Sequence, residues 1–309
     1  MDDNGYIRYN VWKNIRDLID KNIITKEDKD YFLELLKDDD GHIRSYAWRN
    51  ITDLINENII TKKDAQKYKD YILELLKDDD GYIRSDAWEN IIKLINKNII
   101  TKEDVQKYKD YFLALLKSSN ESARFYAWIS ITDLINKNVI TKEDVQKYKD
   151  YFLELLKNNY MDTKSDAWKN IPALIDKNII TKEDVQKYKD YFLALLKSSI
   201  GDFGDSAWHE IYHLINRDII TREDKDYLLE LLRSSNENTR FYAWRSITDL
   251  IDKNIITKED AQKYKDYFLA LLKSSNEHTR LYAWDNIPNI IDNLIDKNII
   301  TKEDKDYFL

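Results

Sequence analysis

All eight tryptophans of this chain fall on one rhythm, at Trp12, Trp48, Trp88, Trp128, Trp168, Trp208, Trp244 and Trp284. The steps between them are 36, 40, 40, 40, 40, 36 and 40 residues. A period of this size means one supersecondary unit used in tandem, each copy burying its apolar face against its neighbours alone. That constraint outweighs the length of 309 residues, which would otherwise suggest two ordinary domains. Residues 1–309 therefore read as a single repeat domain. Five glycines and two prolines leave little room for sheets rich in tight turns, so the units are expected to be helical.

One clean repeat runs from Thr101 to Ile140. Thr101 precedes Lys102-Glu103-Asp104, a Thr-x-x-Asp start whose hydroxyl can accept from an early backbone N–H. Val105, Tyr108, Phe112, Leu115 and Leu116 recur at helical spacing and predict an amphipathic first helix. The polar stretch Ser118-Ser119-Asn120-Glu121 breaks it. Ala127, Trp128, Ile131, Leu134 and Ile135 then mark one side of a second helix, which ends at Asn138, a left-handed C-cap candidate. Both connections are short, so the two helices must lie antiparallel. The copies starting at Thr25, Thr221 and Thr301 lack four residues of the first helix, about one turn. The last repeat instead gains four residues between Trp284 and Lys297.

The array starts and stops in mid-repeat, at Asp2-Asp3-Asn4-Gly5 and Lys305-Asp306-Tyr307-Phe308-Leu309. The missing halves are complementary, so head-to-tail self-association is one expectation and a fragment of a longer array the other. Pro172 and Pro288, each four residues after a Trp, are expected to kink their second helices.

The segment Asp78-Asp79-Asp80-Gly81-Tyr82-Ile83-Arg84-Ser85-Asp86-Ala87 resembles the HEAT-repeat signature: an acidic loop, an apolar-Arg pair, then Ala. Similar strings run from Asp38 to Ala47, and less fully from Asn236 to Ala243 and Asn276 to Ala283. The resemblance to HEAT repeats, including the bilin-lyase-like subset, covers essentially the whole chain. It implies a right-handed α-solenoid of about eight two-helix repeats, 36–40 residues each. It further implies a ladder between repeats, built from the loop acid and Arg8, Arg44, Arg84, Arg124, Arg240 and Arg280. That ladder lapses at Lys164 and Gly204. Second helices in such solenoids line the concave side.

Comparing repeats separates scaffold from readout. First helices are nearly constant, whereas second helices vary at positions that point away from the Ala-Trp-Ile-Leu stripe. One residue after Trp stand Lys13, Arg49, Glu89, Ile129, Lys169, His209, Arg245 and Asp285. Five residues after it, in repeats one to seven, stand Asp17, Asp53, Lys93, Asp133, Ala173, His213 and Asp249. Aromatic and apolar residues precede the stripe: Tyr9, Tyr46, Phe125-Tyr126, Phe241-Tyr242 and Leu281-Tyr282. Many of the charges form i, i+4 pairs that do no more than solvate a helix. The aromatics either pack between repeats or anchor a partner. The partner-binding candidates are Tyr46, Arg49, Phe125, Tyr126, Ile129, Phe241, Tyr242, Arg245, Leu281 and Tyr282. The expected function is a scaffold that binds a protein or peptide and is not an enzyme.

One motif carries chemistry of its own. His209-Glu210-Ile211-Tyr212-His213 is a literal H-E-x-x-H, in which two histidines one turn apart can hold zinc while the glutamate acts as base. Asp205 extends that face to a third ligand. The longer zincin pattern fails, because Asn216 replaces its glycine and Ile219 its third histidine. Zinc at Asp205, His209 and His213, with a metal-dependent activity, is the alternative reading; otherwise no cofactor is expected. A second alternative, nucleic-acid binding by analogy with HEAT-like DNA glycosylases, needs a basic groove. The net charge of −8 speaks against it. The loops at Asp38 and Asp78 lack the early acid of a calcium-binding EF-hand and read as helix caps. The absence of cysteine, of a signal-peptide pattern and of a membrane-length apolar run points to the cytoplasm.

Overall fold

The computed structural model describes residues 14–157, 161–197, 202–285, 287–301 and 304, and these form an all-α solenoid of repeated helix pairs. The chain divides into two compact units, 1–155 and 156–309. In the N-terminal unit the second helices Gly41–Asn56, Gly81–Asn96 and Glu121–Asn136 pack side by side. In the C-terminal unit the corresponding helices are Met161–Asp176, Asp202–Ile215 and Glu237–Arg245 continued by Ile247–Asp252. Glu277–Asp285 and Ile287–Asp296 complete the set.

The first helix is not the single amphipathic rod expected. In the long copies it is two pieces, such as Lys102–Gln106 and Lys109–Leu115. The Tyr108 and Tyr111 amides bond three residues back, to Val105 and Tyr108, which tightens the turn between the pieces. The four-residue deletion falls on the first piece: at Lys26–Asp28 and Arg222–Asp224 it shrinks to one 3-10 turn. The exception is Lys258–Leu269, a continuous helix. The two prolines differ: Pro288 stands in the first turn of Ile287–Asp296, the second piece of its helix. Met161–Asp176 runs through Pro172, whereas a break at Ser246 occurs with no proline nearby.

The repeat ends behave as their chemistry requires. From Thr25 to Thr257, the Thr at each first-helix start accepts from the early backbone while the Asp three residues on accepts from the Thr amide, as at Thr101 and Asp104. Asn22, Asn58, Asn98, Asn138, Asn178, Asp218, Asn254 and Asn298 all adopt positive φ, between 50° and 57°. These are the left-handed C-caps. The acidic loops cap helices: the Asp40 carboxylate accepts from the His42 and Ile43 amides, and Asp80 does the same one repeat later.

Tryptophan holds the repeat together with both halves of its side chain. Its rings lie in the core, Trp88, Trp128 and Trp168 each about 5 Å from the Phe of the following first helix (Phe112, Phe152 and Phe192). Its indole N–H donates to the last leucine carbonyl of its own first helix, from Trp48 to Leu36 and from Trp128 to Leu116, both at 3.0 Å. A helix C-terminus leaves such carbonyls without intrahelical partners, so this bond fills an obligatory vacancy in the core. Trp284 departs from the rule that every Trp is core, being 39% exposed.

The arginine row does not form the implied ladder. Arg44, Arg84, Arg124, Arg240 and Arg280 turn back on their own loops, each donating to the carbonyl six residues earlier at 2.5–2.6 Å. Arg8 lies outside the described residues. The ladder between repeats is built from lysine and the capping aspartate. Within the N-terminal unit Lys29 pairs with Asp64, Lys69 with Asp104 and Lys109 with Asp144, at 2.9–3.0 Å. Within the C-terminal unit Lys189 pairs with Asp224, Lys225 with Asp260 and Lys265 with Asp304. One carboxylate thus caps its own helix and ties it to the preceding one. The Lys29 ammonium, followed by the Thr61 hydroxyl, holds the Asp64 carboxyl far below the usual range. At Asp104 burial pushes the carboxyl up, but the Thr101 amide and Lys69 together outweigh it.

Candidate functional site

Exposed aromatics stand on both helices of the repeat: Tyr31, Tyr71, Tyr111, Tyr151, Tyr191 and Tyr267 recur unchanged on first helices, whereas on second helices the exposed residue types change from repeat to repeat. In the N-terminal unit three stripes run side by side: Tyr46 and Arg49; Tyr82, Asp86, Glu89 and Lys93; and Tyr126 and Ile129. All of these but Ile129 line a cleft of about 410 Å³, together with Ser45, Ile83 and Ser85. Tyr82 and Tyr126 are 52% and 44% exposed, large aromatic surfaces on an otherwise charged face. The cleft's polar centre is organised. Asp86 accepts from the Ser45 hydroxyl and pairs with Arg49, whose guanidinium lies over the Tyr46 ring, 5.4 Å from its centroid.

Of the residues expected to bind a partner, Tyr46, Arg49 and Tyr126 line this cleft, whereas Ile129 is half-buried and outside its lining. Phe125 does not. It is 6% exposed, and Phe241 is 2% exposed. Both stand three residues before a core Trp, on the same helical face, and pack inward with it. They are core residues rather than anchors, and their tyrosine neighbours, turned about 100° around the helix, take the outer position. Tyr82 was missed because it stands four residues before Asp86, outside the row beside Ala.

The second-helix face of the C-terminal unit presents a different set. Arg245 stacks over Tyr242 at 5.0 Å, and Leu281 is 55% exposed. The Tyr282 side chain lies outside the described residues. The H-E-x-x-H motif falls here as well. His209 and His213 are exposed on the helix Asp202–Ile215, while Glu210 is half-buried. The Arg245 guanidinium approaches the His209 Nε2 to 3.3 Å, placing a fixed cation where a metal ion would bind. Tyr212 meets the His213 ring edge-on and carries the Lys253 ammonium over its own ring. Burial pushes the Glu210 carboxyl up, against the pull of His213, Lys169 and His209. The Asp205 side chain lies outside the described residues, and among the described residues no three His, Asp or Glu side chains converge on a metal position.

Beneath that face, Lys164 stands where other repeats have the loop-clamping arginine. It is buried, its ammonium lies 5.3 Å from the Tyr191 ring centroid, and desolvation pulls its pKa down. No helix among the described residues is long and apolar enough to cross a membrane.

No model of a known protein family matches the chain, and no curated protein matches it. Solved structures do. An archaeal HEAT-like repeats protein from Thermococcus onnurineus aligns at 18% identity over 86% of this chain and 98% of its own, with a TM-score of 0.38. A chain in a homology model of the AP-3 complex aligns at 15% identity over 92% of this chain and 55% of its own, TM-score 0.49. A Kap121p mutant aligns at 12% identity over 88% of this chain and 31% of its own, TM-score 0.41. The helix pairs, caps and loop-clamping arginines described above define the fold as an α-solenoid of repeated helix pairs.

Proposed function

We propose that this chain is a non-catalytic scaffold that binds a protein or peptide partner on its second-helix faces. The observation that carries the reading is the N-terminal cleft, where three tyrosines surround a prearranged Arg49–Asp86 pair. Exposed aromatic surface beside fixed polar groups is the composition of protein-binding hot spots. The core does not need these rings, since Trp48, Trp88 and Trp128 already fill it. Tyr46, Arg49, Tyr126 and Ile129 serve as contacts in this unit, and Tyr242, Arg245 and Leu281 in the other. The zinc reading is disfavoured by the arginine at His209, and nucleic acid by the negative charge of the chain.

The test is a displayed peptide library selected on the wild-type chain and counter-selected on a Tyr46→Ala, Tyr126→Ala double variant. The expected outcome is a family of peptides retained by the wild type and released by the variant, whose far-UV circular dichroism stays unchanged. Peptides held equally by both would show that binding lies elsewhere.

A further inference from the structure

We infer that the N-terminal cleft takes a basic peptide segment, with an arginine or lysine side chain seated between the Glu89 carboxylate and the Tyr126 ring. The inference rests on the reading of this face as a partner-binding surface. Its template is inside the protein. Arg49 lies over the Tyr46 ring and pairs with Asp86 of the next repeat, so the face already holds one guanidinium between an aromatic ring and an acid. One period of 40 residues later, position 49 becomes Glu89 and position 86 becomes Tyr126. The same geometry therefore sets Glu89 against Tyr126, and both line the same cleft.

At this second step the acid and the aromatic ring are present, but the cation is not. Glu89 is exposed and has no ion pair among the described residues; Lys93, one turn further along the helix, forms none with it. Tyr126 and Tyr82 leave open ring surface beside it. A guanidinium or ammonium arriving from outside would gain a cation–π contact and a charge-assisted hydrogen bond together. The net charge of −8 biases the approach toward a positive segment. An acidic partner would meet Glu89 and the negative field of the chain, with Arg49 committed to Asp86 and Lys93 the one other Lys or Arg in the lining to receive it.

The experiment is fluorescence anisotropy of the full chain with short labelled Arg-Gly, Lys-Gly, citrulline-Gly and Glu-Gly repeat peptides, at near-physiological salt. The Arg-Gly peptide is expected to bind best and the Glu-Gly peptide not at all. Glu89→Gln should weaken Arg-Gly binding about tenfold. Glu57→Gln, an exposed acid outside the cleft, should leave it unchanged. Equal losses at Glu57 and Glu89 would reduce the effect to net charge and overturn the proposal. Citrulline-Gly or Glu-Gly binding that is lost in Tyr126→Ala would overturn the basic partner while leaving the face as a binding surface. Binding of none of the peptides would also overturn the inference, and the library selection decides the underlying reading independently.

Discussion

Replacing one tryptophan by phenylalanine tests the idea that the indole N–H, and not ring bulk alone, closes each repeat. Trp128 is 1% exposed and donates to the Leu116 carbonyl at 3.0 Å. Trp128→Phe removes the donor and leaves that carbonyl buried without a partner, which costs about 1–3 kcal/mol. The smaller ring also gives up about two methylene equivalents of burial, at ~0.8 kcal/mol each. The sum is about 2.6–4.6 kcal/mol. Trp284 makes the same bond, to Leu272 at 3.1 Å, but is 39% exposed. Water can reach its surroundings, so Trp284→Phe should cost about 1 kcal/mol. Native-state hydrogen exchange by mass spectrometry reads each repeat separately, which global unfolding of a repeat array does not. Amides around residues 116–131 should lose about two to three decades of protection in Trp128→Phe, since 1.4 kcal/mol is tenfold. Amides around residue 272 should lose less than one decade in Trp284→Phe. Equal losses at the two sites, or a loss below tenfold at Trp128, would refute the argument that the carbonyl bond matters.

Two further predictions concern the helix starts and the ladder. A Cβ added at Gly41 would meet the Ile83 Cδ1 at 2.9 Å, whereas one at Gly81 would meet the Ala123 Cβ at 3.6 Å, an ordinary contact. Gly81→Ala should therefore stabilise by a few tenths of a kcal/mol, and Gly41→Ala should come out about 1 kcal/mol worse, read by urea denaturation of the two variants. For the ladder, the folded-state pKa of Asp64 lies below its unfolded value of ~3.9. The unfolded chain therefore binds more protons in acid, so this contribution is fully present above the unfolded value and is lost as pH falls through the folded one. Asp64→Asn should lower stability at neutral pH and flatten the acid limb of a circular-dichroism titration; parallel profiles would show that the carboxylate is not the group that titrates.

What could be read from the sequence was local, and what could not depended on which repeats touch. The Thr-x-x-Asp caps and the asparagines at repeat ends announce themselves because a cap is made by residues three or four apart. The helix pair follows from spacing around Trp128 in the same way. The Lys109–Asp144 rung joins residues 35 apart, an offset that stretches to 39 at Lys265–Asp304, and the sequence shows the recurrence without saying that it is a contact. A family resemblance then assigned the ladder to Arg124, which the structure commits to its own loop at Ser118. Phe125 failed for a different reason: adjacency to Tyr126 in the sequence concealed a turn of about 100° between them, while its three-residue offset from Trp128 already put it in the core. The same rule recovers Tyr82 and Glu89. Counted in helical steps, Tyr82, Asp86, Glu89 and Lys93 form one stripe at offsets of four, three and four. In a tandem array the scaffold is what repeats, so a binding surface is found where a helical stripe holds and its residue types change. By that criterion the step from Arg49 and Asp86 to Glu89 and Tyr126 marks the cleft, because the fold tolerates the exchange of a cation for an anion there without any change in packing.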